Sequence, residues 1–362
     1  MSNKSEKLLV EKKYYTFAEP PDEMVFDKET SLAAMMWHYI YAAPYLPNGE
    51  YACDATALVD PWPHQRTVVA DASSEFPAGR LLCDEVGLGK TIEAILILRR
   101  LLAGRGVKRA LLLVPAGLLK QWQEELREKG GLIVPYWERE YLWWPDGQKE
   151  RVEAPSALAN NDILLLSREW ARLPDNRAHI LTSPAWDLAM LDEAHAARRR
   201  AQVEREFNSG NLLLELLRDL QLRRQARGLL LLSATPMQTQ PWEPWDLLTV
   251  LGIGAPWMVE FADVRSYYDA VAALRDGRAI KAPEARRVAQ LIRHDSEFPT
   301  GPQGLSARDA GLAEKLVFDV PGREQYAAWL RQGAPLGRRM HRNTRGTLRR
   351  YHEMGLLHEK PV

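Results

Sequence analysis

Between Pro61 and about Leu251 the chain alternates short, wholly apolar runs with amphipathic stretches. Five runs stand out: RLLCD (80–84), RALLLVP (109–115), DILLLS (162–167), WDLAMLD (186–192) and GLLLLSA (228–234). None shows the in–out alternation of a strand with one wet face. Each therefore predicts a strand buried on both faces, as a parallel sheet requires. The stretches between them predict helices, for example Thr91 to Leu102 and Gly117 to Lys129. Strand alternating with helix means an α/β fold. In such sheets ligands bind at the carboxyl ends of the strands, so chemistry-bearing residues should follow the five runs directly.

Beyond Gly252 the pattern changes. VRSYYDAVAALRD, APEARRVAQLIRHD and REQYAAWLRQ predict helices, interrupted by the Pro/Gly-rich FPTGPQG. KLVFDV predicts a strand or an extended linker. At the other end Pro20-Pro21 breaks any early element, and SLAAMMWHYIYAA predicts a short apolar helix. Three regions follow: an entry region over 1–55, an α/β domain over 56–252 and a mostly helical segment over 253–362.

Composition alters this picture little. With 46% hydrophobic residues the chain can bury a sizeable core. Lys+Arg and Asp+Glu are both 48, so global charge predicts no partner, and a nucleic-acid surface would have to be a local patch. Cys53 and Cys83 make neither a disulfide framework nor a metal site, which suits a reducing cytoplasm. No apolar run approaches the roughly 18 residues of a membrane span.

LLCDEVGLGKTIEAI (81–95) carries the first candidate chemistry. It follows a predicted strand and opens a predicted helix, the context of a phosphate-binding loop. Gly87 and Gly89 let backbone N–H groups approach phosphate oxygens, and the helix start adds partial positive charge. Lys90 can reach β- and γ-phosphates, and the Thr91 hydroxyl can bind Mg²⁺. Asp84, however, stands where the common loop pattern has its first glycine. A Gly-rich turn with a surface lysine would read the same in isolation. In WDLAMLDEAH an Asp192-Glu193 pair ends a strand. Asp192 can hold Mg²⁺, Glu193 can orient or deprotonate a water, and His195, further along, suits sensing of the γ-phosphate. An acidic pair opening a helix is the plainer alternative. Ser233 and Thr235 end another strand, where small hydroxyls can bond to the acidic pair. Gln65 has an amide able to read an adenine edge, although a surface glutamine is commoner.

These stretches, in this order, resemble the helicase-type ATPases of superfamily two, specifically the Swi/Snf branch. DEVGLGKT resembles that branch's phosphate loop, Glu85, Val86 and Leu88 included, and makes Asp84 a family variant. DEAH resembles the Mg²⁺ and water motif, LLLSATP the coupling motif, and the Gln65 stretch the adenine-reading motif. GLGKTIEA together with WDLAMLDEAH resembles the RapA-like bacterial and archaeal members. The likeness covers roughly residues 55 to 262. It implies a RecA-like phosphate-loop lobe using ATP and Mg²⁺, acting on double-stranded DNA in the cytoplasm, at the nucleoid, without a membrane. RRMHRNTRGTLRR resembles the basic segment that precedes the branch's second RecA-like lobe. The chain stops soon afterwards, so it reads as a first lobe with a connecting segment from a longer protein. A DEAH-type RNA or DNA helicase and a nucleotide-binding scaffold are the alternatives.

The resemblance also implies nucleic-acid contacts. They fall after Pro115, in LLLVPAGLLKQWQEEL, and near Ser167-Arg168. Lys120, Arg198 to Arg200, Arg342 and Arg345 can add charge, although arginine runs in this sequence are also expected as solvated faces. VPYWEREYLWWP carries Tyr136, Trp137, Tyr141, Trp143 and Trp144. Aromatics can stack on bases, but packing or a protein partner suits this stretch better.

Overall fold

The computed structural model describes residues 57–104, 106–199, 210–234, 242–258, 261–319 and 321–355. The helix expected within 1–55, together with Cys53, Arg200 and Thr235, lies outside them. By chain contacts the described residues fall into two compact units. The first is drawn from Met1–Glu193, Glu215–Ala234 and Arg342–Val362, the second from Ala194–Leu214 and Thr235–His341. This differs from the single break expected near Gly252: the chain passes between the units after Glu193, Leu214, Ala234 and His341.

All five apolar runs are strands of the first unit: β1 (Arg80–Leu82), β2 (Ala110–Val114), β6 (Ile163–Ser167), β7 (Trp186–Leu191) and β8 (Ala226–Leu232). Three further strands, β3 (Tyr136–Glu138), β4 (Tyr141–Trp143) and β5 (Lys149–Arg151), come from the aromatic stretch and its continuation. In space the order runs β5-β4-β3-β6-β2-β7-β8-β1. From β3 to β1 every pairing is parallel, while β3-β4-β5 form an antiparallel edge. The register sets Leu112 opposite Leu165 on one side and Met190 on the other.

Three of the helices that pack on this sheet share one buried cluster with it. α1 (Pro63–Ser74) starts with proline at its first position, where the absent N–H is no loss. α2 (Lys90–Ala103) starts from Gly89 in the left-handed region, φ 86°. Val68 and Val69 of α1 and Ile95 and Leu98 of α2 join Leu82, Leu112, Leu165 and Leu230 in one buried cluster. Burying such side chains contributes about 1.5–3 kcal/mol each. α3 (Leu119–Glu128) adds Leu119, Trp122 and Leu126.

The second unit is helical, as expected. Its helices include Glu243–Val250, Phe261–Arg275, Ala282–Arg293 and Arg323–Gly333. Two buried aromatics bind distant segments through their polar ends. Trp257 donates Nε1–H to Asp295 at 2.7 Å, and Tyr267 donates its hydroxyl to the Leu330 carbonyl at 2.8 Å. Lys315–Phe318 of KLVFDV, expected as strand or linker, belong instead to the helix Leu312–Phe318. Leu312 and Leu316 reach the core while Glu314 between them is exposed, a pattern that fits a helix face and not a strand face, on which all three would lie together.

Candidate functional site

β1 ends at Leu82, and the chain turns through Cys83–Gly89 into α2. Gly87 and Gly89 both have positive φ, near 90° and 86°. A Cβ on Gly87 would meet nothing within 4 Å, so that side of the loop is open. Gly89 sits at φ 86°, which side chains rarely adopt, and a Cβ there would lie 2.3 Å from the Gln65 amide nitrogen, so glycine is favoured. Val86 and Gly87 are exposed, whereas Leu88 is buried and anchors the loop. The Lys90 ammonium donates to the Asp84 carbonyl at 2.6 Å and less closely to that of Glu85. Open glycine backbone, a helix start and a flexible cation fit the phosphates of a nucleotide. Thr91 opens the same helix beside Lys90.

Gln65 is used differently from the expectation. Its carbonyl oxygen accepts from the Trp62 N–H at 2.8 Å, and its amide nitrogen donates to the Leu88 carbonyl at 2.9 Å. Both ends of the amide thus brace α1 and the loop from a buried position.

Asp84 has a structural partner that the sequence did not reveal. Its carboxylate accepts the Asn343 backbone N–H at 2.7 Å and the Asn343 side-chain amide at 3.1 and 3.0 Å. The Glu85 N–H donates back to the Asn343 carbonyl at 3.2 Å, and the Glu85 carboxylate accepts the Arg345 N–H at 3.0 Å. Segment 343–345 is therefore fastened to the first two residues of the loop. A glycine at position 84 would remove three of these bonds. Behind Asp84 lie His64 and Glu93, both buried, with candidate ligand atoms of all three within 4.8 Å of one another. Burial and the Asp84 charge push the Glu93 carboxyl up to about 10, so it is protonated at neutral pH. Burial holds the His64 imidazole below its usual range, and its Nε2 donates to the Leu88 carbonyl at 3.2 Å.

The acidic pair follows β7. The Asp192 carboxylate accepts Trp122 Nε1–H at 2.9 Å and the Glu193 N–H at 2.8 Å. Trp122 is the second residue that sequence reasoning passed over; the signal was a tryptophan on the buried face of an otherwise polar helix, whose N–H needs a partner. Burial raises the Asp192 carboxyl, against the pull of those two bonds. Glu193 has φ 51°, a strained value for a side chain of its size. Arg168 spans the Asp192 and Glu193 carbonyls at 3.2 and 2.9 Å. β8 lies between β7 and β1, so Ser233, whose N–H donates to the Leu82 carbonyl at 2.9 Å, follows the strand between the acidic pair's and the loop's. His195 sits on the short turn Ala194–Ala196, just beyond the contact boundary between the units.

The nucleic-acid candidates separate. Pro115, Ser167 and Arg168 gather at the carboxyl ends of the paired strands β2 and β6. Lys120, on α3, is exposed beside Glu124. Arg342 and Arg345 belong instead to the segment fastened to the phosphate loop. Arg199 corrects the expectation for 198–200. It is 1% exposed and forms a two-pronged ion pair with Asp246 at 2.7 and 2.8 Å, between Trp242 and Trp245. It cannot offer its charge to a ligand. The aromatic stretch packs partly on itself, Tyr136 stacking on Trp143 at 6.0 Å, and partly on Trp170, whose ring lies 4.8 Å from that of Trp137.

A parallel sheet with a glycine-lysine loop and an acidic pair at its carboxyl ends defines a phosphate-loop protein of the RecA-like α/β class. Residues 63–269 match the SNF2-related domain, and the chain belongs to that family of helicase-like ATPase domains. It is 28% identical over 313 residues to "RNA polymerase-associated protein RapA" of Pseudomonas aeruginosa, covering 84% of this chain and 30% of the relative. It is 32% identical over 221 residues to "Uncharacterized ATP-dependent helicase YqhH" of Bacillus subtilis, covering 60% of this chain and 34% of that one. The chain thus spans about a third of the length of these relatives. Among solved structures, the Sulfolobus solfataricus SWI2/SNF2 ATPase core in complex with dsDNA aligns at TM-score 0.41 and 16% identity, over 66% of this chain and 60% of that one. Among the described residues no helix is long and apolar enough to cross a membrane.

Proposed function

We propose that this chain is the ATP-binding lobe of a DNA-dependent Swi/Snf-type motor that remodels protein–nucleic acid complexes. The observation that carries the reading is the placement of Asp84–Thr91 and Asp192-Glu193 at the carboxyl ends of β1 and β7, with only β8 between. Lys90 would meet the β- and γ-phosphates, and Thr91 with Asp192 would hold Mg²⁺. Bound Mg²⁺ neutralises charge on the phosphate oxygens. Trp122 fixes the Asp192 carboxylate, leaving lone pairs for the metal. Glu193 would orient or deprotonate the attacking water, and Ser233, Thr235 and His195 would pass the state of the site onward. Adenine contact by Gln65 would require its present bonds to be exchanged. Double-stranded DNA would lie across Pro115 and Ser167, and a second RecA-like lobe would complete the cleft. The aromatic edge Tyr136–Trp144 is the surface we assign to a protein partner, in a cytoplasmic, nucleoid-associated setting.

The test is ATP hydrolysis by the chain, alone and joined to the second lobe of a relative, with and without duplex DNA. DNA-stimulated turnover without strand separation supports the proposal. Strand separation would favour a DEAH-type helicase, and nucleotide binding without turnover in any form a scaffold.

A further inference from the structure

Arg168 was expected among the nucleic-acid contacts, yet its guanidinium is committed elsewhere. Nη1 donates to the Asp192 carbonyl at 3.2 Å and the Glu193 carbonyl at 2.9 Å, and Nε donates to the Glu169 carboxylate at 2.9 Å. Glu169 is held in turn. Its other oxygen accepts the Ala116 N–H at 2.9 Å and the Ser167 hydroxyl at 3.2 Å. Burial works against this carboxylate, but the bonds from Arg168 and Ala116 outweigh it and hold its pKa below the usual range. A chain of bonds thus runs from Ala116 and Ser167 through Glu169 and Arg168 to the backbone of the acidic pair. It ends on Glu193, whose φ of 51° persists only while its surroundings enforce it.

The donors that Glu169 uses, a loop N–H and a hydroxyl, are the kind that bind phosphate oxygens. They lie in the segments that the proposed function assigns to DNA. We propose that Glu169 occupies the place of a DNA phosphate, and that Arg168 is a positioning residue that reports its displacement to Glu193. A phosphate arriving at Ala116 and Ser167 competes with the Glu169 carboxylate. Once displaced, Glu169 no longer anchors Arg168, and the grip on the Asp192 and Glu193 carbonyls changes. The arrangement would couple DNA binding to the water-activating residue within one lobe. It rests on the DNA reading above.

The experiment uses the full chain and measures duplex DNA affinity by fluorescence anisotropy, with and without a non-hydrolysable Mg·ATP analogue. The wild type should show coupling of about fivefold or more between the two ligands. Glu169→Gln removes the competing charge and should tighten DNA binding several-fold. Arg168→Lys keeps the charge but cannot span both carbonyls and Glu169. It should leave DNA affinity within about twofold while the coupling is lost; Arg168→Ala should behave likewise. Thermal melts confirm folding of each variant, and two independent positions keep the test alive if one variant unfolds. Three results overturn the relay alone: unchanged DNA affinity in Glu169→Gln, full coupling in Arg168→Lys, or a roughly tenfold loss of DNA affinity in Arg168→Ala with a salt slope smaller by about one, the mark of a direct phosphate contact. A folded wild type that binds no duplex overturns the proposed function and the relay with it.

Discussion

Lys90 carries the only ammonium of the phosphate loop, and it rests on two loop carbonyls. Lys90→Ala should therefore abolish detectable ATP binding while leaving the fold intact, as calorimetry and circular dichroism would read. Unchanged affinity would remove the loop assignment. Glu193→Gln should act differently. It is nearly isosteric and leaves Asp192 with both of its bonds, so nucleotide should still bind. Turnover in a two-lobed form should fall by roughly two orders of magnitude or more, the scale of a lost general base. Surviving turnover with lost binding would reverse the assignment of the pair. Glu93 gives a pH signature. Its carboxyl is raised in the folded state to about 10 and is ordinary when unfolded. Between those values the native chain holds a proton that the unfolded chain releases, so stability falls as pH rises, by up to about 1.4 kcal/mol per unit from this group. Glu93→Gln, neutral at every pH, should flatten that decline. Melting temperatures of both proteins at pH 6 and pH 9 test it, and an equal decline in both would contradict the buried protonated acid.

At the scale of elements, the five strands were legible because burial on both faces forces an unbroken apolar run. The edge strands β3, β4 and β5 were not. Each is three residues long, too short for a period, and Lys149, Glu150 and Arg151 are all exposed. Charges along that edge discourage pairing with another sheet. Leu312–Phe318 was misread because KLVFDV is rich in strand formers, and the decisive partner of Leu316, Leu312, lies before the run. The glycines, lysine and acidic pair were legible because their chemistry is local. The partners of Asp84 and Asp192 were not, since they arrive from elements far along the chain. Arg199 shows the same limit: its run looked solvated until Asp246 claimed it. Removing one side of a buried ion pair leaves an uncompensated charge, so Asp246→Ala should destabilise the helical unit by about 3–5 kcal/mol. Urea unfolding measures it, and a change below about 1 kcal/mol would mean that water reaches Arg199.

For the whole molecule, the expectation concerns rate. Phosphoryl transfer gains about 10³ to 10⁵ from an arginine finger. The resemblance to Swi/Snf motors implies that this arginine would come from the second lobe. The 362-residue chain alone should bind ATP weakly and hydrolyse it very slowly, and duplex DNA should shift its nucleotide affinity while raising its turnover little. Phosphate release by a confirmed monomer is the measurement. Brisk DNA-stimulated turnover would locate the finger within this sequence and end the reading of the chain as half a motor.

The bonds between Asp84 and Asn343 join residues 259 positions apart. On a ribosome the loop is therefore made early and finished late. At about 5–20 residues per second, roughly 10 to 50 s separate the synthesis of the two. Through that interval the β1 strand and α2 can fold, but Asp84 and Glu85 still lack the partners that hold them. The nascent lobe would expose an unfastened loop and acquire its final form only after synthesis has passed residues 343–345. A chain ended at His341 should preserve that unfinished state. Hydrogen exchange at the Glu85 amide, which donates to Asn343 in the full protein, should then be much faster. Equal protection with and without the last segment would show that the loop sets its own shape. Otherwise this protein times the completion of its own nucleotide site by where along the gene the fastening residue is encoded.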